Sequence, residues 1–178
     1  MNNTTETVEL NQGEIAQVQG LARKTLLEYG KLNDVIGSQI FSILGLHSRI
    51  LYYPLNDDSV WGFVDKIAGY YFVLINTSIS YDKQIFVCAH ELYHIITGTQ
   101  TDFIPASVLD DKDEQGKGLA INELKANRFA AEFLVEEGLL KQEMRTYKIG
   151  NGKKITPREA LVLSDLFMVP YKTMARRL

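Results

Sequence analysis

The sequence predicts an α+β domain, mainly helical, with a small antiparallel three-stranded sheet beside one apolar helix. Three observations predict it. Apolar residues recur at helical spacing before residue 45, short runs rich in β-branched and aromatic residues fill the stretch from Arg49 to Asn76, and helical patterns dominate from Gln84 onward. With 178 residues, 46% of them hydrophobic and 23% charged, the chain has the material for one folded domain with a real core. The expected division is residues 1–155 as the main domain and 156–178 as a terminal helix pair packed on it.

Taken in order, Ile15, Val18, Ala22, Leu26 and Tyr29 mark an amphipathic helix from Glu14 to Tyr29, stopped by Gly30. A second helix is expected from Asn33 or Asp34 to Leu44, with Asp34 accepting backbone hydrogen bonds at its start and Gly45 at its end. Runs at Arg49 to Tyr53, Val60 to Ile67 and Tyr70 to Asn76 read as strands, separated by the turn signals Pro54 to Asp58 and Ala68-Gly69. Their simplest arrangement is an antiparallel meander. The third run is nearly all apolar, as in a strand covered on both faces.

The next helix should run from about Gln84 to Thr97 and end at Gly98. A polar segment, Thr99 to Gly118, has the length and composition of a mobile loop. A further helix is expected from about Ala120 to Glu136, with Leu124, Phe129, Phe133 and Leu134 as core residues. Gly150-Asn151-Gly152 suggests a tight turn joining two short strands within Tyr147 to Ile155. Thr156-Pro157-Arg158-Glu159 is a capping-box pattern with proline at the first helical position; the helix it opens reaches about Leu166, and Val169-Pro170 starts the last one.

The segment His90-Glu91-Leu92-Tyr93-His94 carries the chemistry. A helix turns roughly 100 degrees per residue, so histidines four apart lie within about 40 degrees of each other and both imidazoles can reach one ion. Glu91 lies on the same side, able to touch a water on that ion but badly placed to ligate it. This is the pattern of a zinc peptidase, in which the metal acidifies water and polarises the carbonyl while the carboxylate carries a proton from water to the leaving amine. Two solvated or core histidines are the plain alternative, but three polar groups on one stripe of an apolar helix are costly to bury without a shared partner.

A catalytic zinc keeps three protein ligands, so one more is required. His47 is the only other histidine and reads as a surface or capping residue; Cys88, the single cysteine, faces elsewhere and reads as a small core residue. Asp102, Asp110, Asp111, Asp113 and Glu114 lie in the polar loop, a poor frame for a preorganised site. Glu123 opens a helix in which Ala126 and Ala130 permit close approach to the motif helix. It is either the third ligand or an exposed first-turn acid favoured by the helix dipole.

Composition excludes other roles. A net charge of −3 gives no general attraction to phosphate backbones, and the apolar runs are far shorter than the roughly 20 residues of a membrane helix. The first residues lack a signal-peptide pattern, and one cysteine makes no internal disulfide, so a cytoplasmic protein is expected. Lys172, Arg176 and Arg177 on the terminal helix pair are the one hint of DNA binding, a role the acidic chain does not favour.

Cys88-Ala89-His90-Glu91-Leu92-Tyr93-His94, followed by Glu123-Leu124-Lys125-Ala126-Asn127-Arg128-Phe129-Ala130-Ala131, resembles the ImmA/IrrE family of bacterial and phage metallopeptidases. That family pairs an A-H-E-L-x-H block with a downstream E-x-x-A-N-x-F-A-A block. Tyr93 departs from it, standing where a small residue is frequent, as does Lys83-Gln84-Ile85-Phe86-Val87 just before. The resemblance implies a zincin-like fold with one zinc ion held by His90, His94 and Glu123, and Glu91 as catalytic base. Asn127, one turn beyond Glu123, would either hold a ligand by a hydrogen bond or be a plain surface amide. The resemblance further implies that the substrate is a protein, a helix-turn-helix repressor of a mobile element or stress regulon. A zinc-binding regulator that grips a transcription factor without cutting it is the alternative. Iron, manganese or cobalt would suit the same donors.

Overall fold

The computed structural model describes residues 9–99, 121–150 and 152–178. Seven helices and three strands occupy them, in the order α1 (Gln12–Glu28), α2 (Gln39–Gly45), β1 (Ser48–Tyr53), β2 (Gly62–Ile67), β3 (Tyr70–Asn76), α3 (Tyr81–Thr97), α4 (Ile121–Leu134), α5 (Glu137–Thr146), α6 (Pro157–Phe167) and α7 (Tyr171–Arg177). The architecture is the mainly helical α+β class. The polar segment after Thr99, with its five carboxylates, lies outside the described residues, as does Asn151.

Local chemistry sets the helix boundaries. Asn11 caps α1 in a reciprocal capping box with Glu14, and Thr156 and Glu159 do the same for α6, with Pro157 in its first turn. Asp34 does not start α2. Its carboxylate pairs with Lys31 at 3.2 Å, Gly37 takes a left-handed conformation (φ 44°), and the helix begins only after Ser38. Residues 137–146, where the sequence predicts no element, form α5. Glu136 caps it by accepting from the Leu139 backbone N–H at 2.8 Å, while Leu139 and Leu140 bury their side chains.

The sheet corrects the expected meander. Its order is β1-β3-β2, with β2 and β3 antiparallel and β1 parallel to β3, so it is mixed. Ala68 and Gly69 both have positive φ, the backbone of a tight hairpin turn, which fixes β2 against β3. The residues between β1 and β2 therefore carry the chain past β3. Buried Asn76 holds that passage, accepting from the N–H groups of Leu55 and Ser78 and donating to the carbonyls of Asp57 and Val60. The apolar run β3 takes the central place, hydrogen-bonded to a strand along each edge, but its faces are not equally covered: Val73 and Ile75 are buried, whereas on the other face Tyr70 is exposed and Phe72 and Leu74 are half-buried.

A second expectation also fails. Around Gly150 and Gly152 the chain makes turns and, among the described residues, no strand. Lys148, Gly150 and Gly152 all have positive φ, so the backbone curls tightly after α5 instead of extending, and Ile149 is tucked into the core.

One core runs through the molecule. It joins Val18, Ala22 and Leu26 of α1 to Phe86 and Leu92 of α3, Phe129 and Phe133 of α4, and Leu163, Phe167 and Met174 of the terminal pair. Gly62 allows β2 to lie on α3: a Cβ there would meet the Leu74 carbonyl oxygen at 2.5 Å and Val87 at 3.1 Å. No helix among the described residues is long and apolar enough to cross a membrane.

Candidate metal centre

Helix α3 is buried without a break from Ile85 to Ile95. His90, Glu91 and His94 therefore lie in the interior, at 2%, 2% and 1% exposure. Across from them α4 presents its small face, Ala126 and Ala130, both fully buried, and this lets Glu123 enter from the first turn of that helix at 3% exposure. The exposed first-turn acid is thereby excluded as the reading of Glu123.

Three donors converge. His90 Nε2 lies 3.0 Å from Glu123 Oε2, His94 Nε2 lies 3.4 Å from Glu123 Oε1, and the two Nε2 atoms are 3.2 Å apart. Asn127 reaches the far side of the first ring, its Oδ1 2.9 Å from His90 Nδ1. An amide oxygen only accepts, so Nδ1 carries a proton, and Nε2, which faces Glu123 and His94, either carries a second proton or offers its lone pair to a bound cation. Asn127 is thus not a plain surface amide.

The charges need a cation. Burial alone would raise the Glu123 carboxyl, but hydrogen bonds and charge interactions with His90 and His94 outweigh it and bring it down to about 2. Burial alone would also lower His90, yet its bond to Glu123 and the nearby charges of Glu91 and Glu123 raise it. His94 is lowered, chiefly by burial. A buried carboxylate facing two imidazole nitrogens is satisfied by a proton on His90 or by a metal ion. His90, His94 and Glu123 offer ligand atoms all within 4.8 Å of one another, a donor set of two nitrogens and one oxygen that suits zinc. Among the described residues the cluster fits a metal.

Glu91 stands apart from that set. One of its oxygens, Oε2, is buried with no hydrogen-bond partner among the described residues, while the backbone of Val64 in β2 bonds to the carboxylate. Burial pushes its carboxyl up to about 7.

The sequence model of the M78 peptidases, described as the IrrE N-terminal-like domain, matches residues 46–178, more than half of the chain. The chain belongs to this family. As an M78 member it carries both halves of the metal cluster inside the matched span, whereas α1 precedes that span. No match is found among curated proteins. Of the solved structures, a transcriptional regulator of Mycobacterium tuberculosis is similar with a TM-score of 0.58 and 13% identity, over 97% of this chain and 48% of that one. This M78 chain thus spans about half the length of that regulator, and at such identity the likeness is one of fold.

The remaining candidates fall away from the cluster. His47 is exposed and hydrogen-bonds the hydroxyl of Tyr29, the residue just after α1. Cys88 is wholly buried in the core, and burial pushes its thiol far up. Arg177, one of the three cations that hinted at DNA, is instead turned inward onto Glu132 at 2.7 Å. Two contacts had no sequence signal at all: the Val64 backbone on Glu91, set by strand placement, and Thr99, whose Oγ1 lies 3.0 Å from His94 Nδ1.

Proposed function

We propose that this M78 chain is a zinc-dependent endopeptidase that hydrolyses a peptide bond in a helix-turn-helix repressor. The observation that carries the reading is the buried Oε2 of Glu91, without a hydrogen-bond partner among the described residues, beside a three-donor cluster of His90, His94 and Glu123. A purely structural zinc site closes its fourth position with another side chain, and the described residues supply three donors and a base instead.

In this reading His90, His94 and Glu123 hold the ion and Asn127 orients His90. Zinc held there would supply Lewis acidity toward the scissile carbonyl and the attacking water. Glu91 takes the water's proton at Oε2 and returns it to the departing amine, a task suited to a carboxyl that burial has moved toward neutrality. The Val64 bond fixes the other end of that carboxylate, so it delivers the proton from one orientation. Residues 156–178 act as packed support, through Leu163, Phe167 and Met174.

The substrate segment would add to the sheet beside α3. Tyr70 to Asn76 is closed to this, being the central strand, which leaves β2 as the edge whose backbone adjoins Glu91. The similarity of fold to a transcriptional regulator is consistent with a regulatory setting, for cutting and for the non-cutting alternative alike.

The test uses the helix-turn-helix repressor encoded nearest to this chain. Wild type should cut it, a chelator should stop the cut, and Glu91→Gln should retain the metal while losing roughly 10²- to 10⁴-fold in rate. Equal cleavage by wild type and Glu91→Gln would remove Glu91 as the base and the peptidase reading with it.

A further inference from the structure

His94 is oriented by a different device from His90. Thr97, in the last turn of α3, donates its hydroxyl proton back to the Tyr93 carbonyl oxygen, 2.8 Å away. Gly98 then adopts a left-handed conformation (φ 66°), which ends the helix and folds Thr99 back over it. Thr99 Oγ1 comes to lie 2.9 Å from Thr97 Oγ1 and 3.0 Å from His94 Nδ1.

A hydroxyl has one proton to give, and this sets the direction of the whole chain. The Tyr93 carbonyl can only accept, so the Thr97 proton is committed to it. Thr97 Oγ1 must then accept from Thr99. With its own proton committed, Thr99 Oγ1 can only accept from His94, which requires the hydrogen on Nδ1. The Nε2 lone pair of His94 then faces Glu123 and His90.

We propose that Thr97 and Thr99 form a hydroxyl relay that fixes the tautomer of His94 and turns its Nε2 toward the metal, making both threonines positioning residues of the metal centre. The inference rests on the metal-binding reading above. Asn127 fixes the first histidine from α4 and the relay fixes the second from the end of α3 itself, so each imidazole has its own orienting acceptor. Thr97 is exposed and Thr99 partly so, and both lie at the end of the helix, where a substitution leaves the core intact.

The relay predicts an ordered series. Thr99→Val removes the acceptor and should weaken zinc binding about 10- to 100-fold. Thr99→Ser keeps the hydroxyl and should bind as wild type does. Thr97→Val leaves Thr99 its hydroxyl but frees that proton to point at His94 Nδ1, favouring the wrong tautomer, and should fall between the two. Zinc affinity is measured by chelator competition on the full chain. The tautomer is read separately, by ¹⁵N chemical shifts of the His94 ring in metal-free protein. The expected result is an Nδ1–H tautomer in wild type and Thr99→Ser, lost in Thr99→Val. An unchanged His94 tautomer in Thr99→Val overturns the relay, as does a Thr99→Ser variant as weak as Thr99→Val. If wild type binds no zinc, the metal reading fails, and the metal-free spectra still decide the relay.

Discussion

Glu123 and Glu132 sit on the same helix, α4, and both are almost wholly buried, at 3% and 7% exposure, yet their surroundings answer the charge differently. Nine residues at about 100 degrees each put them on opposite faces. Glu132 faces α1 and α7, where Arg177 pairs with its Oε1 at 2.7 Å, Arg128 bridges from one turn earlier, and Gln19 donates at 3.0 Å. Its compensating cations are guanidiniums, which stay charged whatever happens nearby. Glu123 faces α3 and meets two imidazoles, which can lose their protons. One carboxylate is neutralised permanently by the chain, and the other by groups that can yield to an exchangeable ion. The first arrangement locks helices together; the second has the donors of a candidate metal site.

The largest expected effect lies on the locked side. Glu132→Ala leaves the Arg128 and Arg177 guanidiniums without their shared carboxylate, the Arg177 side chain being only 9% exposed, and breaking a buried pair of this kind costs about 3–5 kcal/mol. Urea unfolding should show the same loss with and without zinc. Arg177→Ala should cost less, because Arg128 and Gln19 remain on the carboxylate. A zinc-dependent loss in Glu132→Ala would show that the two faces of α4 are coupled and would undo the contrast.

The site side should behave in the opposite way. At free zinc a hundredfold above its dissociation constant, binding stabilises a fold by about 2.7 kcal/mol. Glu123→Ala should lose that increment on top of a metal-free loss, because the folded carboxylate that His90 and His94 hold at about 2 contributes stability at neutral pH that alanine lacks. Thermal unfolding with and without zinc checks both halves. A Glu123→Ala protein that zinc still stabilises fully would separate the metal from this cluster.

The contrast also explains what was legible in the sequence. The grouping of His90, Glu91 and His94 is legible because it depends on spacing within one helix, which the chain order specifies directly. Glu123 needs a second helix to approach, and only the small residues Ala126 and Ala130, together with the resemblance, point to it. Of the Glu132 cluster only the Arg128 pair, one turn away on the same helix, has a sequence pattern; Gln19 and Arg177 come from opposite ends of the chain and carry none. Strand order failed for a related reason: the period of β1, β2 and β3 identifies strands but not neighbours, and a buried Asn76 that reorganises the crossing looks in sequence like any turn residue. Helix α5 was missed because only Leu139 and Leu140 along it are buried, too few to show a period.

The smallest effect tests Glu91, the proposed base, in chelator-treated protein. Glu91 has its folded carboxyl raised from 4.5 to about 7 by burial, so it holds its proton in the folded state after the unfolded chain has released it. Below the unfolded value both states are protonated and the residue carries no penalty. Between 4.5 and about 7 the folded state binds more protons than the unfolded one, so stability falls as pH rises, and above that range the deficit is complete. A shift of this size corresponds to about 3 kcal/mol, and water entering the metal-free site would reduce it to the order of 2 kcal/mol. Glu91→Gln removes the charge while keeping an oxygen for the Val64 backbone. Metal-free Glu91→Gln should therefore be more stable than wild type at pH 8 and equal to it near pH 4. Zinc should shrink the difference, because a cation beside the carboxylate favours its charged form. Glu132 offers the control: it is ion-paired with Arg128 and Arg177, so Glu132→Gln, which removes those pairs, should destabilise at pH 8, where Glu91→Gln stabilises. The same direction for both substitutions would mean that the two buried acids are held in the same way after all.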